Sequence, residues 1–79
     1  MAEAKVVTLD VREMAPWDRH PRIFETLEAL EVGDTLRLVN DHEPKPLYYQ
    51  LMAEHPGQME WESRQVAPRE WVALIKKVA

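Results

Sequence analysis

The residues of this chain best suited to chemistry are two histidines and an aspartate at predicted strand-to-helix junctions. His20 stands in the stretch Arg19–Arg22, and Asp41 and His42 open the stretch Asp41–Pro46. Two imidazoles and a carboxylate are good ligands for a first-row transition metal when they converge at about 2.0 to 2.2 Å from one ion. His20, Asp41 and His42 are therefore a candidate site for a first-row transition metal or haem.

Basic side chains at the same junctions favour the opposite kind of ligand, an anion. Arg19, His20, Arg22 and Lys45 lie close to predicted helix N-termini. The N-terminus of a helix attracts negative charge and disfavours a cation. These four residues are therefore candidate ligands for a phosphate, a carboxylate or an acidic segment of a partner.

Two further interpretations of the histidines stay open. His20 can cap the first helix and Asp41 the turn after the second strand, in which case both roles are structural. His20 or His42 can also transfer protons, because imidazole titrates near neutrality. No nucleophile stands in a recognisable context, and Ser63 is alone on a predicted strand, so the sequence favours a binding module over an enzyme.

Composition sets firm limits on the class of protein. The 79 residues are enough for one domain, residues 1–79, and the absence of cysteine excludes disulfides, thiolate metal sites and cysteine nucleophiles. A net charge of −4 disfavours nucleic acid, although Arg19, Arg22, Arg37 and Lys45 are the basic residues that could cluster. Neither a secretory signal nor an apolar run of about 20 residues is present, so we expect a cytoplasmic protein without a membrane span.

Alternating hydrophobic patterns predict six elements in the order β-α-β-α-β-β. The first two strands are predicted over residues 5–12 and 34–40. A third strand begins at Met59, and a fourth ends near residue 78. The first helix is predicted over 21–30, with Pro21 in its first turn and His20 at the N-cap, and Pro46 opens the second. We therefore expect an α+β, two-layer sandwich, with a four-stranded mixed sheet and both helices on one face. In this arrangement the two histidine junctions are neighbours.

The tryptophans and the apolar residues of the last strand indicate whether the domain has a surface for a protein partner. Trp61 and Trp71 are expected to be buried and Trp17 exposed. Val72 and Leu74 would lie on the sheet face that the helices leave uncovered. Such an apolar patch predicts docking onto a protein partner or formation of a homodimer.

With the residues set out in this way, the chain resembles the bacterial family known as domain of unknown function 2249. The resemblance covers nearly the whole chain and rests on residues 9–12, on 20–24 with Leu27, and above all on Asn40–Tyr48. The family is similar in layout to the TusA and SirA sulfur carriers, in which a Cys-Pro pair opens the first helix. His20-Pro21 corresponds to that pair, and imidazole cannot carry a persulfide, so the resemblance implies the fold without the sulfur relay.

Members of this family occur beside, or fused to, hemerythrin-like cation-binding domains and in denitrification or nitrosative-stress gene neighbourhoods. The resemblance therefore implies a small accessory or binding module with a redox or metal-related role. A metal- or haem-binding protein, or an enzyme subunit using His20 and His42, is the alternative.

Overall fold

Six elements follow one another in the predicted order. A computed structural model describes residues 4–79 of the chain. The strands and helices are β1 (Val6–Asp10), α1 (Pro16–Ala29), β2 (Thr35–Asn40), α2 (Lys45–Glu54), β3 (Met59–Ala67) and β4 (Glu70–Lys77). The α+β architecture with a four-stranded mixed sheet is confirmed.

The sheet has the strand order β1-β2-β4-β3, with one parallel pair and two antiparallel pairs. β1 and β2 are parallel, and Leu9 lies opposite Leu38. β4 pairs antiparallel with both β2 and β3. Because the carboxyl ends of β1 and β2 meet at one edge, the segments that follow them, 11–15 and 41–44, lie at that edge.

One face of the sheet and the inner sides of both helices form the core. Ile23 and Leu27 of α1 are buried, as are Leu47 and Leu51 of α2. These side chains belong to one cluster with inward residues of the central strands. Both helices therefore cover the same face, and the sandwich has two layers. The sheet residues of the cluster are Leu36, Leu38, Ala73 and Ile75.

The opposite face of the sheet is less apolar than the sequence suggests. Leu74 is 39% exposed, but Val72 is only 7% exposed and is not available as an open contact. Its neighbour on β2, Val39, is also buried. The Arg12 guanidinium connects the end of β1 to the start of β4. It lies 2.7 Å from an Asp10 oxygen and 3.1 Å from Glu70 Oε1. Of the two residues of the predicted apolar patch only Leu74 is exposed, and Val66 of β3 is exposed near it.

The first helix begins more than one turn before the predicted start. Pro16 rather than Pro21 occupies the first turn, so His20 lies within α1 and is not its N-cap. Both prolines fit a first turn, and the sequence pattern alone did not separate them. Pro21 has no N–H, so the carbonyl of Trp17 has no intrahelical donor four residues on. The second helix begins at Lys45, one residue before the proline predicted to open it.

The tryptophans differ in exposure from one another. Trp17 is 78% exposed, as predicted. Trp61 and Trp71 are half-buried rather than buried, since Trp61 lies on the edge strand β3 and Trp71 lies at the start of β4. Within residues 4–79, neither helix is long and apolar enough to cross a membrane.

Candidate functional site

A cavity of about 390 Å³ lies where β2 ends, between α1 and the segment that leads into α2. We call it the histidine cavity, because His20 enters it from α1 and His42 from the segment after β2. The expectation that the two junctions are neighbours therefore agrees with the geometry. The other residues that line the cavity are Pro16, Arg19, Ile23, Asn40, Asp41, Pro44, Pro46 and Leu47.

Arg19 fastens the elements around the cavity to one another. Its Nη1 donates to Asn40 Oδ1 at 3.2 Å and Asp41 Oδ1 at 3.0 Å, and its Nη2 donates to Asp41 Oδ2 at 3.3 Å. Its Nε donates to the Met14 carbonyl at 3.1 Å, and Nη2 donates to the Arg12 carbonyl at 3.0 Å. The side chain is only 12% exposed. Arg19 is therefore a structural clamp between α1, the β1–α1 loop and the end of β2, and its donors are already used.

Asp41 and His42 form a carboxylate–imidazole pair beside this clamp. Asp41 Oδ1 lies 2.7 Å from His42 Nδ1. Hydrogen bonds from Arg19 and then from His42 lower the pKa of Asp41 to about 2. Since Asp41 is ionised at neutral pH, it can only accept, and His42 Nδ1 carries the proton. The Nε2 atom of His42 is then the nitrogen available to a ligand.

His20 approaches the cavity from the second turn of α1. Its ring packs edge-on against Phe24, with centroids 6.4 Å apart. The residue is exposed, so the cavity is reached from solvent on this side. His20 and His42 thus offer two imidazoles, one from each β-α unit, to the same space.

The predicted metal ligands share the cavity without forming a ligand cluster. Among residues 4–79, no group of three or more histidine, aspartate or glutamate side chains is arranged to hold a metal ion. The Asp41 carboxylate contacts Arg19 and the Nδ1 atom of His42. It therefore lies on the Nδ1 side of the His42 ring and does not lie next to the Nε2 atom as a second metal ligand would. Metal binding by His20, Asp41 and His42 stays a prediction.

The predicted anion-binding residues are separated by the fold. Arg19 and His20 line the histidine cavity, but Arg22 is exposed and lies 3.8 Å from Glu25 on the same helix. Lys45 lies 3.7 Å from Glu43 and lines a different cavity. This separation could not be predicted from the sequence, because it depends on the helix start and on the direction of each side chain.

A second cavity, of about 300 Å³, lies between α2 and β3, and three of its seven lining residues are aromatic. Tyr48 packs edge-on against Trp61 at 5.4 Å and against Tyr49 at 5.5 Å, measured between ring centroids. We call it the aromatic cavity. Tyr49 is exposed, and no motif in the sequence pointed to a cavity at this place. The remaining lining residues are Glu43, Pro44, Lys45 and Ser63.

Comparison with known proteins identifies a family. No curated protein and no solved structure matches the chain, so the similarity to the TusA and SirA carriers stays a prediction. The model of the family described as uncharacterized conserved protein DUF2249 matches residues 8–77, which include both cavities. The chain therefore belongs to the DUF2249 family.

Proposed function

We propose that this chain is an accessory binding domain, without catalytic activity of its own, whose ligand site is the histidine cavity. The observation that carries the proposal is that two imidazoles from separate β-α units line one cavity. This cavity lies at the carboxyl end of the parallel strands, the edge at which α/β folds commonly bind ligands.

The charges around the cavity indicate which groups are left for a ligand. Arg19 and Asp41 neutralise each other in the wall. Pro16 begins α1 and Pro46 lies in the first turn of α2, so each helix start lacks a backbone donor that an anion would use. His20 and His42 are therefore the main polar groups facing the ligand. A small oxyanion, such as a carboxylate or phosphate, would bind when the imidazoles are protonated.

A second candidate function, binding of a first-row transition metal or haem, is favoured by the Asp41–His42 contact. Histidines that bind metals usually donate their other ring N–H to a carboxylate. Asp41 holds His42 in this way at 2.7 Å, which leaves Nε2 as the ligating atom. The role in redox or nitrosative stress that the family's gene neighbourhoods suggest would rest on this second candidate.

The sign of the pH dependence separates the two candidates. We would titrate the ¹⁵N-labelled protein with inorganic phosphate, with acetate and separately with Zn²⁺, at pH values of about 5.5 and 7.5, on either side of the ordinary imidazole pKa. An anion site should bind more tightly at the lower pH, and a metal site more weakly. The amides expected to move are those of residues 19–23 and 41–47.

Two histidine variants test the site, and a third is the control. His20→Ala and His42→Ala should each weaken binding by about tenfold, which corresponds to one charge-assisted hydrogen bond. His55→Ala should leave it unchanged, because His55 lies at the end of α2, beside Gln58. If phosphate, acetate and Zn²⁺ leave these amides unmoved at both pH values, the histidines are structural and the proposal is wrong.

A further inference from the structure

The aromatic cavity borders a free edge of the sheet. β3 lies at the end of the strand order and pairs only with β4, through residues from Met59 to Ala67. It is the longest strand, and its side chains from Arg64 to Ala67 are exposed. Its outer side therefore presents backbone donors and acceptors that no other described strand uses.

The register shows which residues of β3 direct their backbone outward. The Val78 N–H donates to the Gln58 carbonyl at 2.9 Å, so Gln58 bonds toward β4. Backbone direction alternates along an antiparallel strand, so Glu60 and Glu62 also bond toward β4. The N–H and C=O groups of Trp61 and Ser63 then point away from the sheet.

Those two residues also line the aromatic cavity with their side chains. Trp61 and Ser63 form its strand side, and Tyr48 and Tyr49 form its helix side. The free edge of β3 and these aromatic rings together make a groove. An added strand would place alternate side chains in the cavity while its backbone bonds to Trp61 and Ser63.

The other face of β3 favours a basic side chain at two positions of such a strand. Glu60 and Glu62 are exposed there, with Lys76 and Leu74 as their partners on β4, and Arg64 follows on the same face, so the favoured basic positions are those beside Glu60 and Glu62. Side chains of an added strand that point to this face would lie next to two carboxylates. Basic side chains are favoured at those positions, because opposite charges on neighbouring strands attract. The net charge of −4 acts in the same direction at long range.

We propose that the β3 edge and the aromatic cavity bind an extended segment of a partner protein in which apolar and Lys or Arg side chains alternate. The apolar side chains enter the cavity between Tyr48 and Trp61, and the basic ones face Glu60 and Glu62. This site shares only Pro44 with the histidine cavity and does not depend on the ligand of that cavity.

Synthetic peptides test the proposal on the full chain. The first probe is a fluorescein-labelled peptide in which lysine and leucine alternate. A peptide of the same composition with its lysines and leucines in two blocks tests the alternation, and one with glutamate in place of lysine tests the charge. Binding would be followed by fluorescence anisotropy and by amide shifts. The alternating peptide should bind about tenfold more tightly than either control and shift residues 48–49 and 59–64.

Two substitutions of Ser63, one that removes its backbone N–H and one that keeps it, form a matched pair. Ser63→Pro removes an outward N–H without removing a bond to β4, a change that edge strands tolerate. Ser63→Ala keeps this N–H. Ser63→Pro should weaken binding by about tenfold and Ser63→Ala should leave it near that of the unmodified chain. Glu62→Lys, a surface change that leaves the fold intact, should reverse the preference between the lysine and glutamate peptides.

Three results would overturn the proposal. The first is equal affinity for the alternating and the block peptide, and the second is absence of binding to all three. The third is self-association of the unmodified chain in sedimentation experiments that Ser63→Pro abolishes, since the edge would then serve a second copy.

Discussion

Removal of the Arg19 side chain should cost this domain a large part of its stability. Arg19→Ala deletes hydrogen bonds to two carbonyls, to Asn40 and to both oxygens of Asp41. Hydrogen bonds that involve a charged group contribute about 1.5 to 3 kcal/mol each, but solvent replaces part of those to the half-exposed Asp41. Asn40, which is buried, loses the Arg19 donor. We expect the free energy of unfolding to fall by about 3 kcal/mol.

A loss of this size is easily measured in a small domain. Domains of this length have unfolding free energies of roughly 4 to 12 kcal/mol, and each kcal/mol shifts the melting temperature by about 4 to 8 °C. Arg19→Ala should therefore melt at least about 12 °C lower in calorimetry. Arg19→Lys keeps the charge but not the planar set of donors, so it should lose about 2 kcal/mol.

Arg22 is the matched control on the same helix. It is exposed and meets only Glu25, at 3.8 Å, among the described residues, so Arg22→Ala should cost less than about 0.5 kcal/mol. Equal effects of Arg19→Ala and Arg22→Ala in urea denaturation would refute the clamp. So would a stability of Arg19→Ala within error of the unmodified chain.

Two further changes test the charge pair and the core. Asp41 has a depressed pKa of about 2 in the folded state, so its contribution to the free energy of unfolding is complete above pH 4 and is lost as the pH falls toward 2. The carboxylate is 39% exposed, and solvent screening therefore limits this contribution to about 1 kcal/mol. Asp10 and Asp34 also have lowered pKa values and titrate in both chains, so in urea denaturation between pH 5 and about pH 2 the unmodified chain should lose about 1 kcal/mol more than Asp41→Asn, and equal losses would contradict the prediction. Leu51→Ala removes a fully buried side chain of α2 and should cost about 3 kcal/mol, whereas Gln50→Ala, on the exposed side of that helix, should cost less than about 0.5 kcal/mol in the same measurement.

The period of the hydrophobic pattern was sufficient to predict the elements and their layers. Leu36 and Leu38 alternate with Thr35 and Arg37 and face the core, and Ile75 faces it from β4. The parallel pairing of β1 with β2 followed from two consecutive β-α units, whereas the position of β4 between β2 and β3 was not predicted. The predicted features are local or nearly local, so a single sequence contains them.

Features that depend on several segments at once were not predictable in the same way. The start of α1 depended on a choice between Pro16 and Pro21, and its local sequence satisfied both. The role of Arg19 depends on Met14, Asn40 and Asp41, which only the fold brings together. The burial of Val72 likewise depends on what covers the far side of the sheet.

The proline within α1 has a consequence for motion at the histidine cavity. The missing hydrogen bond between Pro21 and the Trp17 carbonyl separates the first turns, residues 16–20, from the rest of the helix. This segment carries His20 and is held to the end of β2 by Arg19. It can open with a smaller free energy than the domain as a whole, so its amides should exchange with deuterium before those of residues 23–29. A ligand that bridges the two imidazoles would bind the closed segment preferentially and slow that exchange. Deuterium exchange of residues 16–20 would therefore show whether the histidine cavity is occupied.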